Sequence, residues 1–296
     1  MTQGQAVRQQ VQTQPSTSAS PSFAKILVAT DFSETSLRAL EHALSLARHY
    51  GSRIFLAHVI PLDLLMSPEL SEAPLEGLRR AAHEGMERIQ NSGRLVGVRH
   101  EEIIEEGYLW PSIESLIQQH GIDLVVVGTH GRAIVPKMLL GSTAEEIFRQ
   151  SRIPVLTVGP GVWREPFYGV ELKNILFATA FGPAAEGQAA YAFSLAQEHH
   201  SKLTFLHVLQ ESEEKPDAVH QLEGLIPPHE EMHCLPLFRV ERGDPAAEIL
   251  RVAEDVQADL IVIGAKARKS LAAHVPHSSA YQVVCGASCP VLTIRS

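Results

Sequence analysis

Short apolar runs alternate along the chain with longer segments in which apolar residues recur every three or four positions. In the first half the short runs lie at about 25–30, 53–60, 99–105, 123–128 and 154–158. Continuous apolar runs are typical of parallel strands that are covered on both faces, and the longer segments predict the covering helices. The pattern therefore predicts an α/β fold built on a doubly wound parallel sheet of five strands.

The helix predicted between the first two strands has signals at both of its ends. Ser33 is a residue type that caps helix N-termini, and Gly51 is the type that ends helices. Between them the apolar positions are Leu37, Leu40, Ala43, Leu44 and Ala47. This spacing predicts an amphipathic helix with one face on the sheet.

The second half of the chain repeats the first half. Residues 25–32 match 174–181 and 52–59 match 201–208 at an offset of 149, whereas 123–128 match 259–264 and 154–158 match 290–294 at an offset of 136. The second copy is therefore 13 residues shorter between its second and third strands. Pro227 and Pro228 interrupt the helix expected there, which accounts for the shortening.

The repeat divides the chain of 296 residues, which is long enough for two domains of about 140 residues each. The prediction is a disordered tail at 1–22, a first domain at 23–160, a linker at 161–171 and a second domain at 172–296. Trp163, Phe167 and Tyr168 in the linker are expected to pack onto a domain.

Composition excludes several classes of partner. A formal net charge of −9 gives no electrostatic basis for sequence-independent nucleic-acid binding. No apolar run approaches the roughly 20 residues of a membrane helix, so a soluble protein is expected.

The three cysteines, Cys234, Cys285 and Cys289, form no disulfide framework and fit a reducing compartment, so a cytoplasmic protein is expected. Cys285 and Cys289 lie four residues apart on a predicted helix, where core packing is favoured over a metal or redox pair.

One motif carries chemistry. After the apolar run at 123–127 the chain reads Gly128-Thr-His-Gly131, then nine residues, then Gly141-Ser142-Thr143 at the start of a predicted helix. Gly128 lets the chain leave the strand, and Gly131 and Gly141 leave space for phosphate oxygens. The hydroxyls of Ser142 and Thr143 would meet these oxygens at the positive end of the helix. The motif predicts a phosphate site, and the alternative is that the glycines only shape a loop.

The motif resembles the ATP-binding signature of the universal stress protein family, Gly-x2-Gly followed by nine residues and Gly-Ser. The resemblance implies a Rossmann-like fold with strand order 3-2-1-4-5 and a site at its switch point. It implies that Asp31 contacts the ribose and adenine, and that Val59 contacts adenine through its backbone. The expected ligand is ATP or another adenine nucleotide, with Mg²⁺ as a candidate companion ion. The implied binding residues are Thr30, Asp31, Val59, Gly128, His130, Gly131, Arg132, Gly141, Ser142 and Thr143.

The second copy departs from the signature. The register places Ala180, Ala267 and His277 where the first copy has Asp31, Gly131 and Gly141. These replacements remove the ribose acceptor and fill space that phosphate needs. One nucleotide per chain, held in the first domain, is therefore expected.

In the implied strand order, the strands at 154–158 and 290–294 are sheet edges, whose unpaired backbone groups favour pairing. This predicts a pseudo-twofold pair of domains within the chain, and the family's habit of dimerising suggests a homodimer as well. His58 and His207 occupy equivalent positions in the two copies, and the second copy lacks an intact motif. A shared structural role is therefore favoured for them over a catalytic or metal-binding role.

The function expected from these features is that of a regulatory ATP-binding protein of the stress response, whose protein clients the sequence does not name. The chain has no P-loop lysine and no nucleophile elbow, so no dedicated enzyme is predicted. Slow incidental ATP hydrolysis is the most that the sequence supports. The alternatives are a dimerisation or scaffold module that binds no nucleotide and, less favoured, a slow ATPase.

Overall fold

The computed structural model describes residues 23–61, 72–129, 140–162, 172–210, 217–227, 235–265 and 278–295. The first half contains β1 (Lys25–Ala29), α1 (Glu34–Tyr50), β2 (Arg53–Pro61), α2 (Glu72–Asn91), β3 (Arg99–Gly107), α3 (Leu109–His120), β4 (Leu124–Gly128), α4 (Ser142–Gln150) and β5 (Val155–Val158). The second half contains β6 (Asn174–Ala178), α5 (Ala185–Glu198), β7 (Lys202–Leu209), α6 (Ala218–Glu223), β8 (Leu237–Arg242), α7 (Pro245–Asp255), β9 (Leu260–Ala265), α8 (Ser279–Gly286) and β10 (Val291–Arg295).

The strands form one ten-stranded sheet in the order β3-β2-β1-β4-β5-β10-β9-β6-β7-β8. Each half has the order 3-2-1-4-5, and its neighbouring strands are parallel. The halves meet where β5 pairs antiparallel with β10. The expected fold class and the predicted pairing of the two edge strands are both confirmed.

The β5–β10 pairing has a pseudo-twofold centre. Leu156 lies opposite Leu292, and these residues are equivalent at the offset of 136. The flanking pairs are Val155 with Thr293 and Thr157 with Val291, which the same offset exchanges. The two domains are therefore related by a rotation about an axis between the two leucines.

Alternate residues of each strand belong to different cores. Ile26 and Val28 pack in the core beneath α1, α2, α5 and α6, whereas Leu27 and Ala29 pack in the core beneath α3, α4, α7 and α8. Each core extends across both halves of the sheet. The strand sequences are apolar at successive positions because helices cover both faces.

The predicted helix signals are confirmed at α1. Ser33 is its N-cap, and the Ser33 hydroxyl accepts a hydrogen bond from the Ser36 N–H at 3.2 Å. Gly51 ends the helix at a φ of 65°, a left-handed conformation that glycine adopts without strain. In the second half α6 has only six residues and ends before Pro227, which agrees with the shortened copy.

One detail of the cysteine prediction is wrong. Cys285 lies in α8, but that helix ends at Gly286, so Cys289 lies beyond it. Both are buried and neither forms a disulfide, and burial raises the pKa of Cys285 to about 11. A thiol that stays protonated in an apolar core supports the packing interpretation.

Several predictions fall on residues outside the described ranges. These are the tail at 1–22, the linker aromatics Trp163, Phe167 and Tyr168, and Cys234. Within the described ranges, every helix is too short or too polar to cross a membrane.

Candidate functional site

The candidate site lies where the strand order reverses, between β1 and β4. These strands are parallel neighbours, and their carboxyl ends reach the same edge of the sheet. The chain leaves β1 for α1 on one face and leaves β4 for α4 on the other, because the two helices belong to opposite cores. A crevice between the two helix starts is the usual ligand position in such sheets.

Asp31 lies at this edge, two residues after the end of β1. Its Oδ1 accepts a hydrogen bond from the Ser33 N–H at 3.0 Å, and the residue is partly exposed. Ser33 in turn caps α1. The Asp31 carboxylate is therefore oriented by the same turn that starts the helix, and it has both a local structural contact and access to the edge.

Thr30 is buried, with 6 % exposure. Its hydroxyl accepts from the Phe32 N–H at 3.0 Å and lies 3.1 Å from the Ser36 hydroxyl. The structure thus gives the Thr30 side chain an internal role in the turn.

Val59 lies in β2 beyond the end of the pairing with β1. That pairing ends at Ala57, whose carbonyl accepts from the Thr30 N–H at 2.9 Å. The Val59 side chain is buried with 8 % exposure, and β2 continues to Pro61 beside β3. A backbone contact to a planar base is consistent with this position.

His58 stabilises the turn after β1. Its Nδ1 forms a hydrogen bond with the Thr30 carbonyl at 2.8 Å, and its ring lies 4.5 Å from the ring of Phe32, which has a φ of 63°. In the second half His207 makes the same contacts with Thr179 and Phe181, at 2.8 and 4.3 Å. The shared geometry supports the predicted structural role of both histidines.

Gly128, the last residue of β4, allows α1 to approach the sheet. A Cβ at this position would lie 2.8 Å from the carbonyl carbon of Thr35 and 2.9 Å from the nitrogen of Ser36. Both are backbone atoms in the first turn of α1, so no other residue fits without moving the helix. The glycine is required by this close packing, which differs from the expected role in leaving the strand.

Among the residues that the structure describes, no side chain caps the start of α4. Its N-cap is Gly141, which has an ordinary φ of −61° and whose N–H donates to the Thr129 carbonyl at 2.7 Å. Ser142 is exposed and Thr143 is half-buried. The N–H groups of the first helical turn have no acceptor within the helix, and the helix dipole adds positive potential there. This end of α4 is suited to an anion.

The equivalent end in the second half is already capped. Ser278 is the N-cap of α8, and its hydroxyl accepts from the Tyr281 N–H at 3.2 Å. On the opposite face of the same half, the Gln188 side chain in α5 packs against Gly264 and donates to the Ile294 carbonyl at 3.2 Å. Side chains of the second domain therefore contact both the start of α8 and the glycine equivalent to Gly128.

The middle of the motif is not described. His130, Gly131 and Arg132 fall outside the described ranges, as do Ala267 and His277 in the second copy. The described residues place Asp31, Val59, Gly128 and the start of α4 along one edge of the sheet. Among the described residues, histidines, cysteines and carboxylates form no group of three that could hold a metal ion.

Sequence reasoning missed one residue at this edge. The Tyr281 hydroxyl, in α8 of the second domain, accepts a hydrogen bond from the Leu140 N–H at 3.1 Å. Leu140 directly precedes the N-cap of α4. No motif signals this contact, because the partners lie 141 residues apart.

Comparisons with known proteins agree with this architecture. A universal stress protein of Methanocaldococcus jannaschii is 31 % identical over 153 residues, covering 46 % of this chain and 94 % of that protein. A universal stress protein of Bacillus subtilis is 29 % identical over 146 residues, covering 46 % of this chain and 99 % of that protein. Each relative is therefore as long as one domain of this chain.

The whole chain also resembles a solved structure. A universal stress protein from Archaeoglobus fulgidus superposes with a TM-score of 0.68 at 20 % identity, covering 92 % of this chain and 98 % of that one. At this identity the likeness shows the shared fold. The model of the universal stress protein family matches residues 22–159 and 237–295, which is more than half of the sequence. The chain belongs to the universal stress protein family.

Proposed function

We propose that this protein is a regulatory protein of the universal stress response that binds one molecule of ATP, or of another adenine nucleotide, in its first domain. The observation that carries the proposal is the difference between two equivalent helix starts. Helix α4 begins at Gly141 without a side-chain cap, whereas α8 begins at Ser278, whose hydroxyl caps it.

The uncapped start of α4 provides donors for phosphate oxygens. Three N–H groups, those of Ser142, Thr143 and Ala144, lie in its first turn, and the Ser142 side chain is exposed beside them. Backbone N–H groups and the helix dipole together favour an anion at such a position. In α8 the Ser278 hydroxyl already accepts from the Tyr281 N–H in the first turn, so that donor is not available to an anion.

The other end of the nucleotide would lie near Asp31 and Val59. A charged acceptor for a ribose hydroxyl is worth roughly 1.5 to 3 kcal/mol, and the second domain has Ala180 at the equivalent position. Phosphates bring negative charge that Mg²⁺ can neutralise, and the Asp31 carboxylate is a candidate ligand for that ion. We assign the bound nucleotide a regulatory role, in which it orders the phosphate loop that client proteins contact, and no dedicated catalytic reaction.

Titration calorimetry with ATP tests the proposal. We expect a stoichiometry near one per chain, and we expect Asp31→Ala to weaken that single event while Ala180→Gly, the matched change in the second domain, leaves it unchanged. A stoichiometry near two, or wild-type affinity in Asp31→Ala, would contradict the assignment of one site to the first domain.

The rival function is that of a scaffold or dimerisation module. The continuous sheet across β5 and β10 favours it, since this pairing joins the domains without any ligand. Extraction of small molecules from unheated, purified protein separates the two functions. A co-purifying adenine nucleotide supports the regulatory function, and a site that stays empty at millimolar ATP supports the scaffold.

A further inference from the structure

Tyr281 of the second domain contacts the phosphate-binding edge of the first domain. Tyr281 is buried with 4 % exposure, and its ring lies 6.2 Å from the ring of Phe148 in α4. Its hydroxyl accepts from the N–H of Leu140, itself 4 % exposed. An N–H group buried this deeply needs an acceptor, because a buried donor without a partner loses its hydrogen bond to water and gains nothing in return.

This contact has no pseudo-symmetric counterpart. At the offset of 136, Glu145 is equivalent to Tyr281 and Pro276 is equivalent to Leu140. Proline has no N–H to donate, so the first domain cannot return the same hydrogen bond. The second domain, which has the degenerate motif, therefore supplies an acceptor to the first domain, and the first domain supplies no equivalent acceptor to the second.

Two successive amides are held before α4 begins. The Gly141 N–H donates to Thr129 within the first domain, and the Leu140 N–H donates to Tyr281 of the second domain. Together they fix where the free N–H groups of the first helical turn lie relative to β4.

We propose that Tyr281 is a positioning residue for the nucleotide site, through which the second domain sets the geometry of the phosphate-binding end of α4. This inference rests on the proposed function. It gives the degenerate domain a role in ligand affinity although that domain binds no ligand itself.

The test is Tyr281→Phe, which keeps the ring packing and removes the acceptor. The affinity for ATP should fall about tenfold, since one hydrogen bond to a buried group corresponds to roughly one decade. The affinity for adenosine should stay within about twofold, because adenosine has no phosphate to contact α4. A general loss of stability would weaken both ligands alike.

Thr157→Val is the matched control. The Thr157 hydroxyl donates to the Val291 carbonyl at 3.1 Å, so this change also removes one buried hydrogen bond between the domains. It lies in the β5–β10 pairing and leaves the start of α4 untouched. Each of the two variants loses one buried hydrogen bond, so we expect Thr157→Val and Tyr281→Phe to lower the melting temperature by similar amounts. The ATP affinity of Thr157→Val should stay within about twofold of wild type.

Amide hydrogen exchange of the nucleotide-free proteins reports the contact directly. The amides of residues 140–144 should exchange faster in Tyr281→Phe than in wild type or Thr157→Val. If wild type fails to bind ATP, the proposed function fails and the positioning role fails with it. If wild type binds and Tyr281→Phe binds ATP equally well, or loses ATP and adenosine by the same factor, only the positioning role is overturned.

Discussion

The two domains share the turn after their first strand and differ in what that turn presents to solvent. The contact between a histidine and a backbone carbonyl is the same in both, at 2.8 Å for His58 and for His207. The carboxylate of Asp31 has no counterpart, because the second domain has Ala180 there. Both copies keep the turn and its histidine contact, whereas only the first copy has a carboxylate at this position.

The two domains also differ in how their first helices begin. Helix α1 begins at Glu34 with Ser33 as its cap, whereas α5 begins at Ala185, two residues later in the repeat register, with no side-chain cap. The Gln188 side chain packs against Gly264 in the second domain, where the first domain has the backbone of α1 against Gly128. The second domain thus has a shorter first helix and a side chain, rather than a helix backbone, against the equivalent glycine.

The largest expected effect comes from a side chain in front of α4. Gly141→Val should lower ATP affinity by at least about a hundredfold, because the new methyl groups occupy space in front of the free N–H groups. The fold should survive, since a φ of −61° suits any residue. Calorimetry and circular dichroism check both points.

Two variants sharpen that result. Ser142→Ala removes a hydroxyl and adds no bulk, so a milder loss of about tenfold is expected. His277→Val, at the equivalent position of the second domain, should leave ATP affinity unchanged. Near-wild-type affinity in Gly141→Val would mean that the phosphates bind elsewhere.

The next effect separates the two roles of Asp31. Asp31→Asn keeps an oxygen that can accept from the Ser33 N–H but removes the charge, whereas Asp31→Ala removes both. Each should weaken ATP binding by about ten- to a hundredfold. Only the alanine variant should also lower the melting temperature, because the start of α1 then loses its acceptor. If the asparagine variant binds ATP as wild type does, the carboxylate serves the turn alone.

A smaller effect should appear in acid. Burial lowers the pKa of His42 in α1 to about 4, whereas Tyr191, the equivalent residue in α5, stays neutral because burial raises its pKa. An unfolded histidine has a pKa near 6.5, so the unfolded chain binds more protons between pH 6.5 and 4. Stability should therefore fall by about 2 kcal/mol as the pH drops through this window.

His42→Gln should remove this part of the acid sensitivity, which urea unfolding at pH 7 and pH 4.5 can measure. Tyr191→Phe is the matched control and should leave the pH dependence unchanged. An unaltered loss of stability in His42→Gln between the two pH values would place the sensitivity in other groups.

The smallest effect concerns the cap of α8. Ser278→Ala removes the hydroxyl that accepts from the backbone N–H of Tyr281, which should lower the free energy of unfolding by about 1 kcal/mol. ATP affinity in the first domain should stay within about twofold of wild type, since the ring and hydroxyl of Tyr281 remain in place. A larger loss of affinity would show that the cap of α8 also supports the first site.

The apolar runs and the internal repeat predict the strands and the two domains, because these features are local in the sequence. The strand order came from the resemblance to a known family, and the predicted pairing of β5 with β10 and the common edge of Asp31 and Gly141 depend on that order. It did not reveal why Gly128 is a glycine, since the atoms that exclude a side chain belong to α1, more than 90 positions earlier. Contacts between distant elements depend on how those elements approach, which no local period encodes.

The Tyr281 contact shows the same limit. Tyr281 follows the pattern of a buried helix face, and Leu140 is an apolar residue before a glycine. Neither pattern indicates that the two residues form a hydrogen bond. The prediction that Cys289 shares a helix with Cys285 is wrong for a local reason. The spacing of four residues is typical of one helix face, but α8 ends at Gly286.

Because β5 and β10 belong to one polypeptide, their association is unimolecular and does not weaken on dilution. In a homodimer every substitution is copied into both partners, so a change that closes one site closes the other as well. Covalent linkage removes that constraint. One half can accumulate substitutions such as Ala180 and Pro276 while the other keeps its residues, and the pair still meets about the same two leucines.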